Sequence, residues 1–282
     1  IEWKAIPYGQ IVDKFVSGVV AGDPPCDILW VMPDDQVISF LGQNVMYPLS
    51  DVIDPGFWDY VHPALKSYKK GATFQGTTYG LPYYNTPTTG AVMVWNKEIF
   101  AEEGLTTPYE LIENDQWTWE KVKELAITLT QDTDNDGTVD QWGLGGQLSV
   151  PERCVSWMPY FNGTSMFVEK EGRVKVNLTD PKVIKMYELW RDLIHKYKVV
   201  DMSNQLANFN KGKVAMILIQ DYKYTQRNMI ERDKLDTGFA YAPMGPDAND
   251  YSHPHRMPVT VLPITEKNPK ALVNLYAYLY LD

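Results

Sequence analysis

The chain has 282 residues, 44% hydrophobic and 22% charged, with a formal net charge of −10. That length exceeds one average core and fits two lobes, and no apolar run approaches the roughly 20 residues of a membrane span. The acidic balance, with six scattered arginines, excludes the concentrated basic surface that nucleic acid or an anionic membrane requires.

Residues 1–7 alternate Ile1, Trp3 and Ala5 against Glu2 and Lys4, which predicts a strand. Ile11, Phe15, Val16 and Val19 predict a helix over 9–21, stopped by Gly22-Asp23-Pro24-Pro25. The apolar run 27–31 reads as a buried strand, so strand, helix and strand predict a βαβ unit and a parallel sheet. Residues 34–43 read as a helix and 47–63 as irregular. A hairpin signal spans 73–81 with Gly76 at its turn, and 90–95 is another apolar strand.

Thr118 is an N-cap with Glu120 in the first turn, and Trp119, Val122, Leu125, Ala126 and Leu129 mark the buried face that follows. Asp180-Pro181 opens a second helix, with Val183, Tyr187, Trp190, Ile194 and Tyr197 as its expected buried stripe. Strands are expected at 213–219, 237–242 and 259–264, and a helix at 221–232. Asn268-Pro269 starts a final helix with Leu272, Leu275 and Leu279 expected to face inward. Two cysteines, Cys26 and Cys154, are too few for a disulfide framework. Nine tryptophans and eighteen tyrosines supply core packing, and also the flat amphipathic faces on which a pyranose ring stacks.

Five segments together resemble the family-1 extracellular solute-binding proteins of bacterial ABC importers, the group that includes maltose-binding protein. They are the run from Gly22 to Trp30, Tyr79-Gly80-Leu81-Pro82-Tyr83 with 94–100, the helix start 118–122, the element 209–216, and the strand and helix over 259–279. The resemblance implies a two-lobe, type II periplasmic-binding-protein-like α/β fold, each lobe a sheet flanked by helices, joined by crossing hinge strands. Lobe one is then 1–97 plus 250–282 and lobe two 98–249, with the ligand between them and closure by hinge motion. It also implies that native segments precede Ile1 and follow Asp282. Cys26 and Cys154 fall in different lobes and are expected as free thiols.

The implied function is extracellular capture of a sugar or oligosaccharide and its delivery to an ABC permease, without catalysis. A monomer is expected, held at the cell surface as a lipoprotein or in the periplasm. Such a site needs aromatic faces for the ring and planar polar groups for its hydroxyls. In lobe one the candidates are Trp30, Asp34 and Asp35, then Tyr83, Tyr84 and Asn85, in a loop about three residues longer than the family's usual form. Asp34 and Asp35 also suit an N-cap of the next helix. In lobe two they are Glu152, Arg153, Trp157 and Tyr160, then Gln220, Asp221 and Tyr222 after the buried strand.

Asp132, Asp134 and Asp136 with Gly137 at the sixth position follow a calcium-loop pattern, in which Thr138 supplies a backbone carbonyl and Asp140 stands ninth. The twelfth position is Gly143, so the closing glutamate of an EF-hand is missing and Asp140 or Gln141 has to close the site. The other reading is a solvated acidic loop. The expectation is a structural Ca2+.

Two alternatives stand beside sugar capture. The same fold could bind a polyamine among Asp34, Asp35, Glu152 and Asp221, or a metal ion through Tyr83-Tyr84. A glycan-active hydrolase using paired carboxylates is the alternative of another class. Against it, the chain has no nucleophile elbow, no phosphate-binding glycine loop and no His-Glu-x-x-His.

Overall fold

A computed structural model describes residues 2–32, 36–54, 56–61, 69, 72–82, 90–171, 173–220, 230–231, 234–252, 254 and 258–280. The chain divides into two compact units, Ile1–Thr88 with Arg256–Asp282, and Thr89–His255. Sequence reading had set the first crossing after residue 97. The strand Val92–Asn96 hydrogen-bonds into the sheet of the second unit, which draws the boundary back to 88/89.

In the first unit the helix Ile11–Ala21 buries Ile11, Phe15 and Val19, and Gly22 ends it at φ 78. Leu29–Val31 pairs antiparallel with Val259–Val261, which pairs antiparallel with Leu81–Pro82. The expected βαβ unit is therefore replaced by an antiparallel sheet closed by a strand from the far end of the sequence. Residues 2–7 join no sheet and Trp3 stays exposed. Alternation makes a strand only where a neighbour takes up its backbone N–H and C=O groups. The predicted hairpin forms between Thr73–Phe74 and Thr77–Thr78, turned by Gln75 and Gly76 at φ 50 and 83, two left-handed residues as a tight hairpin favours.

The final helix, Pro269–Tyr280, buries Val273 and Tyr276, while Leu275 and Leu279 are exposed. Leu272 packs against the core as expected, so the correction falls on Leu275 and Leu279, and its reason is polar. The Tyr276 hydroxyl accepts from Thr260 Oγ1 at 2.9 Å and donates to the Pro82 carbonyl at 2.8 Å. Helix and two strands are locked together by a satisfied buried tyrosine, which a leucine stripe cannot reproduce.

The second unit is built on a four-stranded sheet in the order Thr237–Tyr241, Val92–Asn96, Val214–Ile219, Trp142–Gly146. Met93, Trp95, Leu144, Met216 and Leu218 point to one face, where the helices Trp119–Leu129, Pro151–Phe161 and Pro181–His195 contribute to the core. Val92, Val94, Ile217 and Ile219 point to the other, toward Phe209 of the helix Gln205–Asn210. Both faces are covered, so the strands read as unbroken apolar runs.

The Thr118 cap forms, accepting from the Lys121 N–H at 3.2 Å. Helix Pro181–His195 starts at Asp180 as predicted, but Val183, Met186 and Leu193 are its buried residues. Tyr187, Trp190 and Ile194 are half-buried beside them. Tyr187 Oη and Trp190 Nε1 donate to the carbonyls of Val155 and Leu148, so their polar ends lie at the rim of the core. The helix expected at 221–232 lies almost wholly outside the described residues. Both cysteines are free, Cys26 in the first unit and Cys154 in the second.

The Asp180 carboxylate accepts from the Lys182 N–H at 2.8 Å and from Asn177 Nδ2 at 3.0 Å, and these bonds hold its pKa below the ordinary value. A depressed folded value adds stability that is complete above the unfolded pKa and is lost as pH falls through the folded one. Melting curves are therefore expected to show a loss of stability from about pH 4 downward. Asp180→Asn should flatten that acid limb while keeping the cap. Asp180→Ala should lower the midpoint at neutral pH as well.

Candidate functional site

Trp142–Gly146 and Val214–Ile219 run parallel, aligned from Trp142 with Val214 to Gly146 with Leu218. Their carboxyl ends therefore lie side by side, the edge at which open α/β sheets hold ligands. Gly146 leaves the sheet at φ 78 and ψ −133, and a Cβ there would stand 2.3 Å from the Leu218 carbonyl oxygen. Only glycine lets the chain turn this sharply against its neighbour.

The turn Gln147–Ser149 that follows is tied from three sides. Cys154 Sγ donates to the Gln147 carbonyl at 3.3 Å, Trp190 Nε1 to the Leu148 carbonyl at 2.9 Å, and Ser149 Oγ to the Gly146 carbonyl at 3.0 Å. Burial raises the Cys154 pKa, so this thiol stays protonated as a packed donor.

Val92 stands opposite both Ile219 and Tyr241, which puts Tyr241 at the same edge of the sheet. Tyr241 stacks on Tyr251 with ring centroids 5.8 Å apart, and its carbonyl accepts from Trp117 Nε1 at 2.7 Å. Sequence reading singled out neither these tyrosines nor the Gln147 turn. The strand end at 237–242 was its one clue to Tyr241, and the glycine pair Gly145-Gly146 its one clue to the turn.

Four sequence-predicted residues lie on the helix Pro151–Phe161, which leaves that turn. Glu152 is exposed and Arg153 half-buried. Trp157 is 5% exposed within the core, and Tyr160 is 38% exposed. Arg153, Trp157 and Tyr160 follow i, i+4, i+7 spacing and share one stripe. Gln220 ends the neighbouring strand and is buried. Trp30 lies half-buried on the strand Leu29–Val31 of the first unit. Asp34, Asp35, Tyr83, Tyr84, Asn85, Asp221 and Tyr222 lie outside the described residues.

The acidic loop is pinched shut by the bridge between Gln131 and Gln141. Asp132, Asp134 and Asp136 each place a carboxylate oxygen within 4.8 Å of the others. The Gly137 N–H donates to Asp132 at 2.8 Å and the Thr138 N–H to Asp136 at 2.7 Å, with Gly137 at φ 89. Asp140 is occupied differently. One of its oxygens accepts from both Oγ1 and N–H of Thr133, at 2.7 and 2.9 Å, and these bonds lower its pKa. The three aspartates form a hard-oxygen donor set suited to a divalent cation, and Asp140 buttresses the loop. A separate cavity of about 390 Å³ opens between Trp119, Leu189 and Met244, and no strand-end residue lines it.

Two α/β units, one of them presenting parallel strand ends beneath a turn that only glycine permits, define a binding protein of the type II periplasmic class. The chain belongs to the bacterial extracellular solute-binding protein family, whose sequence profile matches residues 1–271. Solved structures agree on the fold. A maltose/maltodextrin-binding domain of Bdellovibrio bacteriovorus, bound to maltotriose, is 22% identical over 98% of this chain and 67% of its own, with a TM-score of 0.66. The mannotriose-bound protein CpMnBP1 is also 22% identical, over 98% and 69%, with a TM-score of 0.70. A Thermotoga lettingae ABC-transporter solute-binding protein bound to α-D-tagatose is 19% identical over 96% and 67%, with a TM-score of 0.66.

The unequal burial of Trp157 and Tyr160 separates packing from surface. Trp157→Ala is expected to cost about 3–5 kcal/mol in urea unfolding. Tyr160→Ala should stay within about 0.5 kcal/mol of the parent. Equal losses would show that Tyr160 packs as Trp157 does.

Proposed function

We propose that this protein captures a sugar or oligosaccharide outside the cytoplasm and delivers it to the membrane permease of an ABC importer. The observation that carries the reading is that three structural relatives of the same fold hold maltotriose, mannotriose and tagatose. The strand-end edge of the second unit supplies matching chemistry. Aromatic surface comes from Tyr241, and polar groups come from Arg153, Gln147 and Gln220. No chemical step belongs to the reading: the protein binds and releases, as a monomer in the periplasm or at the cell surface. No described helix is long and apolar enough to cross a membrane.

Thermal melting with maltotriose, mannotriose, D-tagatose, spermidine and divalent metal ions tests it. A ligand that binds only the folded state raises the midpoint by mass action, by about 2.7 kcal/mol of stabilisation at a hundredfold excess over Kd. A rise with a saccharide is the expected result. A rise with spermidine or a transition metal alone overturns the sugar, and release of hydrolysed glycan overturns the reading as a pure binder.

We also propose that the acidic loop holds a structural Ca2+ through Asp132, Asp134 and Asp136, with the Thr138 carbonyl completing the pattern. Three like charges this close favour a bound cation that offsets their repulsion. Calorimetric titration is expected to show one calcium per chain, abolished in an Asp132→Asn, Asp134→Asn double variant. Absence of uptake by the parent removes the ion from the account.

A further inference from the structure

The cavity of about 390 Å³ beside Trp119, Leu189 and Met244 lies wholly within the second unit. Its size falls in the range of small-ligand pockets. Three segments supply its walls. Trp119 opens the helix Trp119–Leu129, Leu189 lies midway along Pro181–His195, and Met244 follows the strand Thr237–Tyr241. Backbone bonds fix the first wall to the third: the Trp119 N–H donates to the Met244 carbonyl at 2.9 Å, and the Met244 N–H to the Trp117 carbonyl at 3.1 Å. Trp119 is fully buried and packs on Phe161 with ring centroids 5.6 Å apart, so this wall is held from behind. Leu189 and Met244 are half-buried, which leaves apolar surface open to the cavity.

Three exposed charged side chains also line it, Glu120, Lys185 and Glu188. Two of them are already paired. Glu120 is bound by Lys123, and Lys185 Nζ stands 2.6 Å from Asp247. Glu188 forms no hydrogen bond or ion pair with any described residue. Arg191, one turn along the same helix, feels its charge but gives its guanidinium to Asp192, at 3.0 and 2.8 Å. One carboxylate without an ion-pair partner therefore stands beside a preformed apolar cavity.

We propose that this cavity is a second binding site, for an amphipathic organic monocation. Its apolar body rests against Trp119, Leu189 and Met244, and its single ammonium group pairs with Glu188. An anion in the same place meets two carboxylates, and a neutral molecule leaves Glu188 as it is, so charge as well as shape selects the ligand. The site is independent of what the strand-end edge captures, since no strand-end residue lines it.

Methyl NMR of the full chain labelled at its methionines tests the site with three probes of one shape and different charge: tryptamine, tryptophol and indole-3-propionate. Met244→Leu identifies the Met244 signal. The expected result is a saturable shift of that signal with tryptamine. Tryptamine should bind about threefold to fivefold more tightly than tryptophol, as an exposed ion pair allows, and indole-3-propionate should bind weakest. Glu188→Gln should bring tryptamine down to the affinity of tryptophol and leave the melting midpoint unchanged, because the side chain it replaces is exposed and unpaired. If Met244→Leu does not fold, calorimetric titration of the parent and of Glu188→Gln with the same probes carries the comparison. No saturable binding of tryptamine, a shift of other methionines without Met244, equal binding of the three probes, or an undiminished preference for tryptamine in Glu188→Gln each overturns the site. None of these outcomes bears on sugar capture.

Discussion

The second unit depends on one constraint: its sheet is buried on both faces. Val214–Ile219 is buried at every residue, with Met216 and Leu218 on one face and Ile217 and Ile219 on the other. Such a strand has no side free for polar chemistry. The carboxyl ends at Gly146 and Ile219 form the kind of edge at which open α/β sheets hold ligands. The close approach of Gly146 to the Leu218 carbonyl is the local expression of this crowding.

From that edge the chain passes into a braced turn and then a helix. The Gly146, Gln147 and Leu148 carbonyls take donors from Ser149, Cys154 and Trp190, so the turn is braced without a regular element of any length. The helix that follows begins with Pro151, which needs no N–H partner, and carries Arg153, Trp157 and Tyr160 along one stripe. Each step inherits its direction from the one before, which is why a residue as remote from ligand chemistry as a buried cysteine belongs to the account of the site.

How legible this was in the sequence differs by element. Helix starts at Thr118 and Asp180 were plain, because a cap is a local bond between a side chain and an N–H two or three residues on. The buried strands and the hairpin at Gly76 were plain for similar reasons. Sheet order was not, because Val259–Val261 reaches Leu29–Val31 across more than two hundred residues and no local pattern encodes that pairing. The inward face of the last helix was misread because leucines outweigh a tyrosine in any hydropathy count. Tyr276 wins in the fold through two hydrogen bonds that exist only once Thr260 and Pro82 are in place. In the candidate site, Gln220 was legible as the residue ending an apolar run. Gln147 was not, since an isolated glutamine after two glycines carries no signal until its burial is known.

The distribution of charge explains why amides rather than acids stand at the strand ends. The chain carries 36 acidic residues against 26 basic ones, yet Asp201 is the one acidic or basic residue buried among those described. It accepts from the Ser203 N–H and hydroxyl and from Asn208 Nδ2, a set of donors complete enough to hold a carboxylate out of water. The remaining described acids stay where water, a basic side chain or a helix N-terminus stabilises them. Glu110 lies in a capping box with Thr107, and the Asp132–Asp136 carboxylates gather in an exposed loop. A carboxylate at Gln147 or Gln220 would require either a cation or a comparable set of donors. Uncharged amides are what such an edge can carry without a bound cation.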